Sequence, residues 1–513
     1  MTLDAESVGH LGPIAAAAEE VAADLVERDA VRRMFAADHT LWRDDPTEIS
    51  DRLGWIGVVG ESLGSLDALR ARCEALLVDV DHIVVMGMGG SSLFPEVLAA
   101  TFPVRAGGPV LHVLDTTDPA AIARLAVECP PERTLHVASS KSGSTIETRS
   151  HLEWAWERSR DPARFAVITD PGSELGDLAR GRGFAEVFEN RSDIGGRYSA
   201  LSLFGIVPAL LAGVDAASLL DGARAALAAC GPDADPSANP ALLLASTLAA
   251  GVRTGRDKAT FVLPAEVATL GLWLEQLIAE SLGKDGTGVV PIVGEPVGEP
   301  SVYGGDRIFV VDPGGLDALS GLAAAGHPLL PLAAAPDAGS LGHVVVVAEL
   351  ATALVAAAIG VQPFDQPDVA AAKAATNKVL EGGGASIEPV PLERFLTQLE
   401  AGDHLALQAF VDPAGPFAAP LAATRIALRD RHRVATSLGF GPRFLHSTGQ
   451  LHKGGPRSIV CVQVVADDPD DLAIPGRSLS FGELKHAQAA GDLQTLVARG
   501  IRAARVSVDD LLA

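Results

Sequence analysis

The sequence predicts an α/β protein built on two doubly wound, mainly parallel sheets, with N-terminal helices ahead of them and a C-terminal α+β extension behind. Three observations lead there. Short apolar runs of strand length alternate with segments long enough for crossover helices, the pattern of parallel sheets rather than hairpins. Glycine-rich and hydroxyl-rich turns fall at the ends of those runs, where open α/β sheets bind ligands. At 513 residues and 48% hydrophobic content, the chain exceeds what one core usually organises, so two or three domains are expected.

Residues 1–52 read as an N-terminal helical segment, and its start, Met1-Thr2-Leu3-Asp4-Ala5-Glu6, lacks the basic and apolar stretches of a secretory signal. Residues 53–215 read as a first α/β domain, with strands expected at 82–86, 110–114, 134–138, 165–169 and 185–188. Residues 216–381 read as a second, opening on Ala-rich helical sequence and carrying strands at 260–263, 289–293, 307–311 and 327–332. The apolar run 344–359 approaches the length of a spanning helix, but Glu349 sits in its middle and basic flanks are absent, so it reads as a buried core helix. Gly382-Gly383-Gly384 reads as a flexible joint, and residues 385–513 as the extension.

The formal net charge of -25 argues against nucleic acid or an anionic membrane as partner, while a small anion needs only a local gathering of Lys and Arg. Cys73, Cys129, Cys230 and Cys461 are widely spaced and form no metal-ligand pattern. Reduced thiols in a cytoplasmic protein, with no metal site, are therefore expected.

Several segments carry chemistry. Ser140-Lys141-Ser142-Gly143-Ser144-Thr145 concentrates hydroxyls at a strand end where a helix begins, and helix starts bind phosphate through free N–H groups and the helix dipole. Lys141 either neutralises that phosphate or points to solvent. Gly87-Met88-Gly89-Gly90-Ser91-Ser92 does not complete a dinucleotide fingerprint, but its glycines let a backbone approach closely while Ser91 offers a hydroxyl. Gly195-Gly196-Arg197 places a permanently charged guanidinium at a cleft, suited to an oxyanion. The segment 269–284 reads as an amphipathic helix ending near Gly283, with Gln276 and Glu280 on one face and apolar neighbours that would raise the Glu280 pKa toward that of a general base. In Phe364-Asp365-Gln366-Pro367, Asp365 is a plausible N-cap, with Gln366 near the helix entrance and Lys373 about two turns on.

Taken together, these motifs resemble the glucose-6-phosphate isomerase family, built from two sugar-isomerase (SIS) domains, in consistent order from Val84 to Lys373. The resemblance implies reversible conversion of glucose 6-phosphate and fructose 6-phosphate through a cis-enediol, a homodimer, and no cofactor. By that resemblance Ser140, Ser142 and Thr145 hold the sugar phosphate, with Lys141, Thr148 and Ser91 nearby. Glu280 moves the proton between C1 and C2, Arg197 stabilises the intermediate, Gln276 and Gln366 bind sugar oxygens, and Lys373 assists ring opening. A non-catalytic sugar-phosphate sensor and an isomerase of another sugar phosphate, such as mannose 6-phosphate, are the competing readings.

One departure stands out. The family's ring-opening histidine, donated by the neighbouring subunit shortly after the glutamate helix, has no counterpart in 296–305, where Tyr303 lies nearest. The segment 444–456 is rich in polar residues and glycine, reads as a lid, and resembles the tail of isomerase domains fused to transaldolase in some bacteria. It offers His446 or His452 as the missing acid-base group, with Lys453 adding positive charge. This whole reading requires the serine turn and Glu280 to face one cavity.

Overall fold

Three separate parallel sheets organise the chain in a computed structural model that describes residues 10–383 and 387–513, with the side chains of 369–373 and 382–383 outside the description. The first sheet holds β1 (His82–Met86), β2 (Val110–Leu114), β3 (Thr134–Ser139), β4 (Phe165–Thr169) and β5 (Glu186–Glu189), in the order β2-β1-β3-β4-β5. The second holds β6 (Lys258–Val262), β7 (Val290–Ile292), β8 (Arg307–Val311) and β9 (Leu329–Pro331), in the order β7-β6-β8-β9. Both are doubly wound. Their central strands β3, β4 and β8 are buried along their whole length, because helices cover both faces, and that is why they read as unbroken apolar runs.

The extension departs from expectation. Where an α+β unit was predicted, β10 (His404–Phe410), β11 (Ala435–Phe440), β12 (Ile459–Val465) and β13 (Arg502–Arg505) form a third wholly parallel sheet in the order β11-β10-β12-β13. This repeats the winding of the other two. Its central strand hid in the sequence because it carries His404 and Gln408, which interrupt the apolar run. Both are fully buried and each makes one bond to the neighbouring strand or helix, His404 Nε2 to Ser437 Oγ at 2.9 Å and Gln408 Nε2 to His452 Nδ1 at 3.0 Å.

Six helices position the site: α1 (Ile146–Ser159), α2 (Leu270–Leu282), α3 (Ala338–Ile359), α4 (Val369–Lys378), α5 (Gly449–Gly454) and α6 (Phe481–Ala498). The long apolar α3 is a core helix, as its interior carboxylate suggested. Burial pushes Glu349 well above the ordinary carboxylate range. Helix α2 is more enclosed than the amphipathic helix expected: every residue except Leu272 is buried. Helix α3 covers one side and the third domain another, where α5 lies on α2 so closely that a Cβ on Gly283 would stand 2.6 Å from Leu451 Cα. N-terminal helix Ala15–Glu27 packs on Pro240–Arg253, and His10 pairs with Leu329 beside β9, so the amino end leans on the second domain. Gly382 and Gly383 close a π turn that continues α4, whereas Gly384, the last residue of the expected joint, lies outside the described residues.

Candidate active site

Two neighbouring loops and one helix build the first half of the site. Gly90 packs directly on the Gly196 backbone; a Cβ there would meet Gly196 O at 1.9 Å, so glycine is required for the two turns to touch. That contact seats the 3-10 turn Gly196–Tyr198 and buries Arg197. The Arg197 guanidinium donates to the carbonyls of Glu280 and Pro363, both at 2.8 Å, and of Asp365 at 3.1 Å, while its Nε lies 3.2 Å from Glu280 Oε2. Three carbonyls thus fix the cation, and the cation faces the carboxylate. One turn earlier on α2, Gln276 Nε2 donates to Glu280 Oε2 at 3.1 Å and to the His446 carbonyl at 3.0 Å.

Just past α2, Lys284 Nζ is enclosed by Asp365 Oδ1 at 2.6 Å and by the carbonyls of Gln362 and Asp365. Burial, helped by the adjacent Arg197 charge, brings this lysine down to about 7 against the pull of Asp365. The third domain ties this corner shut. Gln450 on α5 donates to the Gly283 carbonyl at 3.1 Å and to Asp368 Oδ2 at 2.6 Å, and accepts from the Asp368 N–H at 3.1 Å.

The hydroxyl-rich turn runs from the end of β3 into α1. Ser140 is buried and bonds Thr145 Oγ1 at 3.1 Å, Ser142 and Ser144 are exposed and bond each other at 3.1 Å, and Gly143 holds φ +70 with a Cβ position only 2.8 Å from Leu175 N. The positive φ lets the turn fold back and aim the start of α1 outward. Thr145 occupies the N-cap with no side-chain capping bond, so the helix start is left for a ligand. Thr148 is fully buried and its Oγ1 has no partner among the described residues. Lys141 does neither of the two things expected of it. Its Nζ is held by Asp170 Oδ2 at 2.5 Å and the Ser192 carbonyl at 2.6 Å.

Of the two candidate histidines only His446 reaches this turn. Its Nε2 meets Glu147 Oε1 at 2.9 Å, and Gln488 Nε2 donates to the same oxygen at 2.6 Å. Burial works to raise Glu147, but the His446 charge and hydrogen bond prevail and hold it at about 2. His452 faces Gln408 inside the third domain, where burial drives it down to about 3. Lys453 is buried against Asp492 Oδ1 at 2.5 Å. Tyr303 accepts from the Gly298 N–H at 2.6 Å and packs against Phe309 instead of entering the site.

Two cavities flank α4. The smaller, about 230 Å³, is lined by Ser144, Thr145, Glu147, His446, Lys453 and Asp492 among others; the larger, about 760 Å³, by Lys284, Asp365, Asp368, Lys453 and several arginines. Thr376 and Asn377 of α4 line the first, and Pro367 and Asp368, just before the helix, line the second. Lys373 lies between them in sequence, with its side chain outside the described residues; Gln366 is exposed, and Ser91 is buried on its glycine turn. Glu280 lines neither cavity. This corrects the expectation of one shared pocket: Gln276 and the His446 carbonyl join the cavity at the serine turn to the Arg197–Glu280 pair.

The sequence reading gave no role to Glu147 or Lys284 and missed Gln488 and Asp492 altogether. Helical spacing places Glu147 in the first turn of α1, where an acid also serves as a plain dipole partner, so nothing marked it. The four cysteines are free and buried. Cys129, at the end of helix Pro119–Glu128, nevertheless gathers with His82 of β1 and His112 of β2, their potential ligand atoms all within 4.8 Å, and their sequence separation concealed it; the two imidazoles bond each other at 3.1 Å.

Doubly wound parallel sheets meeting around a hydroxyl-lined helix start define a protein of the sugar-isomerase (SIS) fold class, with a third α/β domain added. Residues 74–299 match the phosphoglucose isomerase family model, and over that stretch the resemblance drawn from the motifs is borne out. A glucose-6-phosphate isomerase of the cyanobacterium Acaryochloris marina is 36% identical over 213 residues, 40% of this chain and 40% of that relative, so the chain spans well under half of the relative's length. A hypothetical protein of Thermus thermophilus aligns with 99% of its own chain and 73% of this one, at TM-score 0.61 and 27% identity. A glucose-6-phosphate isomerase of Chlamydia trachomatis shares the fold at TM-score 0.58 and 20% identity, over 71% of this chain and 86% of its own.

Proposed function

We propose that this chain isomerises glucose 6-phosphate and fructose 6-phosphate reversibly through a cis-enediol. One observation carries the reading: the buried Arg197–Glu280 pair, which a continuous hydrogen-bonded path connects to an uncapped, hydroxyl-lined helix start. The phosphate sits at that start, against Ser140, Ser142 and Thr145, with Ser91, Lys141 and Thr148 shaping the surrounding wall. Glu280 takes the proton from C2 of the open-chain aldose and returns it to C1, and Arg197 stabilises the oxyanion of the enediol stage. Gln276 and Gln366 bind sugar oxygens. His446, together with Lys373, opens and closes the ring, and His452 holds its own domain together.

Because the His446 carbonyl occupies the Gln276 amide, the sugar carbons reach Glu280 only when that segment shifts and releases Gln276. A poised carboxylate beside a fixed cation distinguishes this from a sensor, which needs phosphate and hydroxyl contacts alone. The test is a coupled assay of the purified protein on fructose 6-phosphate, run beside Glu280→Gln. Turnover is expected in the first and a loss of about a hundredfold or more in the second. Full activity in the variant would remove Glu280 as the base.

A further inference from the structure

We infer that Gln488, on α6 of the third domain, is a positioning residue that fixes which ring nitrogen of His446 carries the proton; the inference rests on the ring-opening role given to His446 above. Four side chains form a relay that alternates between domains. Thr117, in the loop after β2, donates its hydroxyl to Gln488 Oε1 at 3.0 Å; Gln488 Nε2 donates to Glu147 Oε1 at 2.6 Å; and His446 Nε2 meets the same carboxylate oxygen at 2.9 Å. Thr117, Gln488 and Glu147 are all at most 3% exposed, so water does not substitute for a missing partner.

The direction of each bond follows from the inventory of donors and acceptors. An ionised carboxylate only accepts, so both groups on Glu147 Oε1 must donate. A flipped Gln488 amide would set its carbonyl against the carboxylate in a dry site, so the carboxylate fixes the orientation, and the Thr117 hydroxyl, able to donate or accept, donates to the carbonyl on the far side. Nε2 of His446 therefore carries a proton in either charge state. Nδ1 has no hydrogen-bond partner among the described residues, and the ring lines the cavity at the serine turn. In the neutral ring the lone pair then sits on Nδ1.

That tautomer suits ring opening. Nδ1 takes the proton of the sugar's anomeric hydroxyl while Nε2–H stays anchored, and Glu147 stabilises the imidazolium so formed. The same proton passes to the ring oxygen as the C1–O5 bond breaks and the C1 carbonyl forms, so atoms and charge balance. Gln488 touches no substrate. It acts by keeping Glu147 charged and oriented.

The experiment labels the histidines with nitrogen-15 in the full chain, with His446→Gln assigning the resonance. The wild type is expected to show a pyridine-like Nδ1 and a pyrrole-like Nε2 at neutral ring charge. Gln488→Leu is expected to populate both tautomers and to lower kcat on cyclic glucose 6-phosphate about 10- to 100-fold, with KM changed by less than about twofold. Thr117→Val, which removes only the hydroxyl, moves both readouts the same way by less, and carries the test should Gln488→Leu fail to fold. Wild-type nitrogen shifts in a folded Gln488→Leu or Thr117→Val protein overturn the inference. If His446→Gln instead opens cyclic substrate at the wild-type rate, the role given to His446 falls, while the spectrum still decides what Gln488 does.

Discussion

The turn after β3 and the connection after β12 occupy equivalent places in two sheets of identical winding, yet their chemistry is opposite. The first gathers Ser140, Ser142, Ser144 and Thr145 and delivers a helix with no side-chain cap. The second carries Asp467, Asp468, Asp470 and Asp471, and its helix start is closed by a capping box in which Ser480 and Glu483 satisfy each other's backbones. Asp471 further accepts from Ser480 Oγ and the Gly482 N–H, and Asp468 binds Lys485. An anion is welcome at one and repelled at the other. The fold thus supplies the crevice while the turn residues decide whether it is a site. The third domain contributes instead from the end of β11, where 443–454 carries His446 and Gln450 to the other domains.

The largest effect should come from erasing that contrast. Ser142→Asp with Thr145→Asp gives the β3 turn the character of the β12 connection, and sugar-phosphate affinity is expected to fall about a hundredfold, against about tenfold for the alanine pair. KM for fructose 6-phosphate and inhibition by inorganic phosphate report it; equal values in both pairs would show that the phosphate binds elsewhere.

A second test asks whether the third domain serves its own chain. His446 and Glu147 meet within one polypeptide, so coexpressed Glu280→Gln and His446→Ala chains should recover no activity beyond that of each alone. Recovery approaching about a quarter of the wild-type rate, the share of intact sites in randomly formed dimers, would mean that the histidine crosses between subunits.

The smallest expected effect concerns stability. Glu147 titrates at about 2 in the fold and near 4.5 when unperturbed, so its contribution is fully present above pH 4.5 and disappears as pH falls toward 2. Glu147→Gln should cost about 2 kcal/mol at pH 7. The gap in melting temperature between variant and wild type should narrow across that acid window. A constant gap would separate the residue's packing from its charge.

The first two sheets were legible because parallel strands buried on both faces leave continuous apolar sequence: β1, β2, β4 and β8 lie where the periodicity placed them. The serine turn and the Gln276–Glu280 spacing were equally plain, since both are local. What escaped is non-local. Strand β10 was masked by buried polar side chains whose partners lie on β11 and α5. Gln488 and Glu147 are 341 residues apart, and no spacing rule connects an amide on one domain with a carboxylate on another. The cover that α5 lays on one side of α2 likewise comes from a segment that follows it by more than a hundred residues.

The His446–Glu147 contact has a consequence for how the protein behaves at low abundance. A group supplied by a second molecule vanishes from its site on dilution, following mass action. One tethered through the backbone keeps an effective molarity set by connectivity alone. An imidazole held in this way stays beside Glu147 and the cavity at the serine turn however scarce the protein becomes.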